Sequence, residues 1–291
     1  MTTEDAGPAI PARVLVDGTI SEPRLDHPEG VAVAADGSIW CGGERGQIYR
    51  IDPDTCVIEE IASTGGFCLG VAFDPHGDLF VCDLKHAAVF RLRTGSGTLE
   101  VFADGAAGRR LRTPNALAFD AEGRMYLSDS LAQGEPGPGV YRFTPDGSGE
   151  LWHDSPLHFA NGLALAPDGS ALYVAETFAH AIVRIAVEPD GTAGARQVFA
   201  RLPGVLPDGL AFDVDGRLYV ACYEPSQILR VEPDGTVTVL LRDEQAHLLC
   251  HPTNVAFRGT ELIAANLGRW HLTAVEVGVT GAPLRRSSPG P

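Results

Sequence analysis

Positive charge is scarce in this chain: 22 lysines and arginines stand against 38 aspartates and glutamates, a formal net charge of −16 over 291 residues. Phosphate backbones repel such a surface, which argues against nucleic acid as a partner. An anionic membrane surface is disfavoured for the same reason. No stretch approaches the ~18 apolar residues of a membrane span. The start, MTTEDAGPAIPARVLVDG, lacks the basic segment and apolar run of a secretory leader. The six cysteines (Cys41, Cys56, Cys68, Cys82, Cys222, Cys250) form no C-x-x-C pair and no zinc spacing. That pattern reads as reduced thiols in a cytoplasmic protein. A Gly-x-Ser-x-Gly elbow, a phosphate loop and a convincing helical period are all missing.

What the chain does have is a repeat. One position, just before a short apolar run, reads Glu29, Leu69, Asn115, Asn161, Asp208 and Thr253 in successive copies. The steps between them are 40, 46, 46, 47 and 45 residues. Length alone would suggest about two domains, but units of ~40–50 residues signal propellers, solenoids or arrays instead. Each copy continues into an apolar strand and then a tight turn, as at Asp36-Gly37, Asp168-Gly169 and Asp215-Gly216, a strong hairpin signal. A second and a third strand follow. A fourth, more polar strand closes every copy but the last.

The N-terminal segment Arg13–Asp17 supplies the strand that the sixth copy lacks. The expected fold is therefore all-β, a six-bladed propeller of four-stranded antiparallel blades, closed by pairing that segment with the last blade. Residues 13–279 form one domain on this reading, with residues 1–12 and 280–291 as flexible ends. The first strand of each blade lines the central channel, so the six repeated residues form a ring at one mouth. The ends of the second strands return to the same face, carrying Gly43, Asp83, Asp129, Glu176, Cys222 and Asn266. The long loop Ser130–Gly139 is a candidate lid.

Glu29, Asn115, Asn161 and Asp208 would converge at that mouth. Two carboxylates and two amide oxygens, with a charge of −2, suit one divalent cation bound through oxygen, most readily calcium, with magnesium, manganese or zinc as alternatives. Thr253 is a weaker oxygen donor, and Leu69 makes one side of the ring apolar. The plainer reading is that polar residues open each strand simply to cap the blade. That explains one or two such residues better than it explains four at matched positions.

Pro28-Glu29-Gly30, Thr113-Pro-Asn115, Ala160-Asn-Gly-Leu-Ala-Leu-Ala-Pro-Asp-Gly169, Pro207-Asp-Gly-Leu-Ala-Phe212 and Pro252-Thr-Asn-Val-Ala-Phe257 resemble the senescence marker protein (regucalcin)/gluconolactonase family. Similarity runs through nearly all of residues 14–284. The resemblance implies that Glu29, Asn161 and Asp208 hold one divalent ion, usually calcium, with Asn115 as a further ligand or substrate contact. It implies a metal-dependent hydrolase of lactones or related esters, the ion polarising the carbonyl and activating water, with Asp208 as the proton acceptor and Asn115 orienting the substrate.

Thr113, Arg112, Leu69 and Thr253 would flank the substrate. Ala116 stands where the family often has Asp, and Thr113 where its sugar lactonases carry Arg. Both departures point to a substrate less polar than a polyhydroxy lactone. Phe159-Ala-Asn-Gly and Tyr-Val-Ala-Glu-Thr177 also resemble the strictosidine-synthase-like propellers, which implies a non-hydrolytic enzyme of secondary metabolism as the alternative. A binding propeller without chemistry is another.

Three histidines, His27, His158 and His251, lie two or three residues before ring positions. Each is either a proton shuttle near the mouth or a residue satisfied by loop backbone. Asp83, Asp129 and Glu176 either orient the ring ligands and water or bond blade to blade. The expected partner is a small molecule, and the expected state is a monomer or small homo-oligomer.

Overall fold

Each Gly of the repeated turn takes a positive φ, between 61° at Gly259 and 91° at Gly77, which closes a hairpin between the first and second strands. The computed structural model describes residues 10–283 and arranges these hairpins into six four-stranded antiparallel sheets. Blade 1 consists of Val31–Val33, Ile39–Gly42, Gln47–Ile51 and Ile58–Ser63. The inner strands of blades 2 to 6 are Cys68–Phe73, Pro114–Phe119, Ala160–Leu165, Leu206–Phe212 and Pro252–Arg258. These strands contact one another in circular order, the last touching Val31–Val33 of the first. That is a six-bladed propeller.

Blade 6 takes its outer strand from the N-terminus. Ala12–Asp17 runs antiparallel to His271–Glu276, with Val16 opposite Leu272, so the ring closes without an unpaired edge at the join. Residues 1–9 and 284–291, parts of the two segments expected to be flexible ends, lie outside the described residues. Beyond blade 6 the chain returns to blade 5, where Val214 N–H donates to Thr280 O (3.0 Å) and Ala282 N–H to Phe212 O (2.9 Å).

The core sits between blades and repeats with them. Phe73, Phe119, Phe212 and Phe257, near the ends of their inner strands, each meet an aromatic ring on the second strand of the preceding blade. The partners are Trp40, Phe80, Tyr173 and Tyr219, all edge-on at 4.9–5.9 Å. Such pairs add about 0.5–1.5 kcal/mol each beyond their buried area. They fix how neighbouring blades stack, and hence where the inner strands begin.

The inner strands carry a feature that alternation alone does not predict. In blades 2 to 5 the ladder skips at the repeated position: Pro114 faces Asp129 and Leu117 faces Leu127, leaving Asn115 and Ala116 opposite the single residue Ser128. The same skip holds at Leu69-Gly70, Asn161-Gly162 and Asp208-Gly209. A shorter irregularity sits at Thr253. A β-bulge re-aims a side chain and is over-represented beside functional sites.

The loop expected as a lid is tied down at one end, because Pro136–Gly137 pairs with Leu157–His158 of the approach to blade 4. Its first residue, Ser130, is fully buried. Among the described residues no helix is long and apolar enough to cross a membrane.

Candidate functional site

The six repeated positions meet around the channel mouth. A Cβ on Gly30 would lie 2.3 Å from the Leu69 carbonyl oxygen, and one on Gly162 would lie 2.2 Å from that of Asp208. Glycine is what lets these backbones approach so closely; the same crowding recurs at Gly70 and Gly209. Between blades 3 and 4 the seam is bridged by Ser128, whose Oγ accepts from Ala116 N–H (3.0 Å) and donates to Asn161 O (2.8 Å). Thr253 Oγ1 donates to Glu29 O at 2.7 Å and joins blade 6 to blade 1.

All six side chains are buried, each no more than 8% exposed. Among the described residues, four buried side-chain polar atoms lack a hydrogen-bond partner, and three of them are Asn115 Oδ1, Asn161 Oδ1 and Asp208 Oδ1. Leaving a buried acceptor unsatisfied costs about 1–3 kcal/mol. Three such oxygens in one ring form a set of oxygen donors.

Glu29 and Asp208 add the charge. Burial pushes the Glu29 carboxyl well above its usual range, and the neighbouring Asp208 charge pushes it further. Burial likewise raises Asp208, while a hydrogen bond from the Asn161 side chain lowers it. Two buried carboxyls that resist ionising together would be relieved by a divalent ion between them. The donor atoms are all oxygen, which fits a hard cation such as calcium or magnesium. The thiols nearby do not compete for it: burial pushes Cys68 up to about 12 and raises Cys82 and Cys222 as well. The residues present fit a divalent cation held by Glu29, Asn161, Asp208 and Asn115.

Beyond the ring the channel turns apolar. Ala32, Ala72, Ala118, Ala164, Ala211 and Ala256, each three residues after a ring position, line a cavity of about 400 Å³ that reaches the hairpin face. The polar ring therefore caps an apolar channel.

A family model for the SMP-30/gluconolactonase/LRE-like region matches residues 44–264. The chain belongs to the SMP-30/gluconolactonase/LRE-like family. A second model, for the N-terminal part of strictosidine synthase-like proteins, matches residues 18–51. Lactonase drp35 of Staphylococcus aureus is 29% identical over 239 residues, covering 76% of this chain and 72% of its own. Strictosidine synthase-like protein 4 of Arabidopsis thaliana is 26% identical over 215 residues, covering 68% of this chain and 56% of its own, so the match spans little more than half of that relative. A gluconolactonase from Xanthomonas campestris has the same fold, with a TM-score of 0.76 at 23% identity, covering 94% of this chain and 98% of its own.

In this SMP-30/gluconolactonase-like chain the other residues singled out from sequence fall into two groups. Some serve the backbone around the ring. Asp129 accepts from Arg112 N–H (2.9 Å) and Thr113 N–H (2.8 Å). Glu176 accepts from His158 N–H (2.9 Å) and pairs with Arg196. Asp83 bonds Thr64 and His86. Each braces the loop that leads to or surrounds an inner strand. The Arg112 guanidinium turns to Glu135 at 3.2 Å, on the surface.

The histidines form the second group. Nδ1 of His27 lies 2.7 Å from Leu267 O and that of His251 3.0 Å from Tyr223 O. A carbonyl only accepts, so both Nδ1 atoms carry hydrogen. His158 is exposed. His27 also belongs to a cluster with Asp26 and Glu44 whose ligand atoms lie within 4.8 Å of one another. Asp26 there is already engaged by Arg45 (2.7 Å) and Gln47 (3.2 Å).

Sequence reading missed Ser130, Thr177 and Asn254. The first two hold the ring asparagines, as Asn115 Nδ2 donates to Ser130 Oγ (2.8 Å) and Asn161 Nδ2 to Thr177 Oγ1 (3.2 Å). Asn254 Nδ2 donates to Glu29 O at 3.2 Å and reaches Glu29 Oε2 at 3.4 Å. The signal was present: a hydroxyl residue directly follows the second-strand acid in the two blades whose ring residue is Asn.

Proposed function

We propose that the protein is a cytoplasmic, divalent-cation-dependent hydrolase of a small lactone or related ester, and that calcium is its cation. The observation that carries this reading is the trio of buried, unpartnered oxygens on Asn115, Asn161 and Asp208, set beside a Glu29–Asp208 pair that burial holds reluctant to ionise. Family membership and the likeness to a lactonase support the reaction class. The free cysteines fit a reducing compartment.

When bound, the cation supplies Lewis-acid polarisation of the substrate carbonyl. The protein's own part is positional. Asn115 orients the substrate, Leu69 gives the ring an apolar side, and Asp208 receives the proton of the attacking water. Arg112, drawn off to Glu135, leaves the Asn115 side of the mouth without its guanidinium, which fits a substrate poorer in hydroxyls than a sugar lactone.

A panel of γ- and δ-lactones, aryl esters and a phosphotriester, assayed with calcium, manganese and zinc, tests the reaction. Thermal melts with chelator and with added calcium test the ion. Calcium at about 100 times its Kd should contribute about 2.7 kcal/mol, a rise in Tm of roughly 5–10 °C for a domain this size. An unchanged Tm together with no hydrolysis would favour a binding propeller.

The interval between the calcium-loaded and chelated melts should also depend on pH. A carboxyl whose folded pKa is raised favours the folded state below its unfolded pKa, and that advantage is lost as pH rises through the folded value. The ion-free protein therefore loses the Glu29 and Asp208 contributions as pH rises, while cation binding needs both groups ionised. The interval should widen as pH rises above the ordinary carboxyl range. A constant interval, read by scanning calorimetry, would remove both residues from the ligand set.

A further inference from the structure

Two short relays stand behind the ring, and they have the same wiring. In blade 3, Asn115 Nδ2 donates to Ser130 Oγ (2.8 Å), and Ser130 Oγ donates to Ala160 O (2.6 Å) of blade 4. In blade 4, Asn161 Nδ2 donates to Thr177 Oγ1 (3.2 Å), and Thr177 Oγ1 donates to Pro207 O (2.8 Å) of blade 5. Ala160 and Pro207 are the residues just before Asn161 and Asp208. Each relay thus runs from one ring residue to the backbone that delivers the next.

The wiring decides which way each carboxamide faces. A hydroxyl has one hydrogen, and here a backbone carbonyl, which only accepts, takes it. Toward the asparagine the hydroxyl oxygen must then accept, so the atom it meets is the NH₂ and not the carbonyl oxygen. Oδ1 of each residue is left on the other side, buried and without a partner. Ser130 and Thr177 are themselves buried, with relative exposures of 0% and 5%, so water does not readily take over the hydroxyl's place.

We infer that Ser130 and Thr177 are positioning residues, which hold the Asn115 and Asn161 carboxamides with nitrogen on the hydroxyl and leave each Oδ1 free for the cation. The inference rests on the cation reading of the ring and adds the residues that make two neutral side chains dependable ligands. Without the hydroxyl, an amide turns over at little cost and offers its NH₂ hydrogens to a positive ion. Groups that orient a ligand from behind are commonly worth 10–100-fold in metal affinity.

Calorimetric titration of the full chain with calcium is the test, on wild type, Thr177→Val, Thr177→Ser and Ser130→Ala. Thr177→Val keeps the shape and removes the hydroxyl, and Thr177→Ser keeps the hydroxyl. We expect Thr177→Val and Ser130→Ala to bind calcium about 10–100-fold more weakly, and Thr177→Ser to stay within about threefold of wild type, given the preserved relay. Lactone hydrolysis by Thr177→Val should approach the wild-type kcat at saturating calcium, because the ion selects the correct amide orientation. Melts in chelator report folding separately from affinity. If wild type binds calcium and Thr177→Val binds it equally well, the positioning role is overturned while the cation site stands. If Thr177→Ser, which keeps the hydroxyl, loses as much affinity as Thr177→Val, the hydroxyl does not account for the loss, and the role is again overturned. A wild type that binds no divalent cation overturns the site and the relay together.

Discussion

Asp208→Asn should abolish calcium-dependent stabilisation and lower kcat/KM by at least about 1,000-fold, on the order of 4 kcal/mol of transition-state stabilisation. The substitution is nearly isosteric, so the blade seam at Gly162 and the bulge at Asp208-Gly209 stay in place. It removes half of the ring's charge and the proposed proton acceptor in one step. Its effect on the ion-free protein runs the other way. Burial and mutual repulsion oppose ionisation of Glu29 and Asp208, so a neutral amide relieves a cost that the chelated wild type bears above the raised pKa values. In chelator, at a pH where the wild-type carboxyls are driven to ionise, Asp208→Asn should therefore melt at or above the wild-type temperature, by a few degrees at most. Loss of activity without loss of stability separates a ligand from a structural residue. Full activity in this variant would sink the mechanism, and a large drop in its chelated Tm would show that Asp208 serves the fold.

Much of this was legible in the sequence, for a physical reason. A propeller repeats one supersecondary unit, so a residue needed at the channel mouth must recur at one phase of the repeat. Glu29, Asn115, Asn161 and Asp208 could be picked out by phase alone. The closing strand, expected at Arg13–Asp17 and observed at Ala12–Asp17, followed from a missing fourth strand in the last copy.

What stayed hidden depends on contacts between copies. The bulges at Asn115-Ala116 and Asn161-Gly162 are register defects, visible only when a strand is laid against its neighbour. Asp129 and Glu176 looked able to orient water or the ring ligands, yet their hydrogen bonds go to the loops approaching Asn115 and Asn161. Residue type says that a buried carboxylate needs donors. It does not say whether those donors are side chains, water or backbone. Ser130 and Thr177 escaped notice because a hydroxyl beside an acid is common, and its second bond crosses to another blade.

The glycine after each of four ring positions sits where a neighbouring backbone comes close, and it carries the second large expectation. Gly162→Ala should destabilise the protein by about 2–4 kcal/mol and weaken calcium binding with it. A methyl group at Gly162 would lie 2.2 Å from Asp208 O, 2.7 Å from Gly209 Cα and 3.0 Å from Asp208 C. All three atoms are backbone, so no side chain can swing aside. The blade 4–5 seam must open by more than an ångström or the inner strand of blade 4 must slide. Either movement carries Asn161 away from Asp208. The seam between blades 3 and 4 shows what a different solution requires: Ala116 occupies the matching place there, and Ser128 bridges to Asn161 O. The matching place across from Gly162 is Ala175, which has no hydroxyl to bridge a widened seam. Denaturant melts with and without calcium measure both parts of the expectation. A Gly162→Ala protein with wild-type stability and wild-type calcium affinity would mean that the seam opens freely, and that the spacing of Asn161 and Asp208 does not set the site.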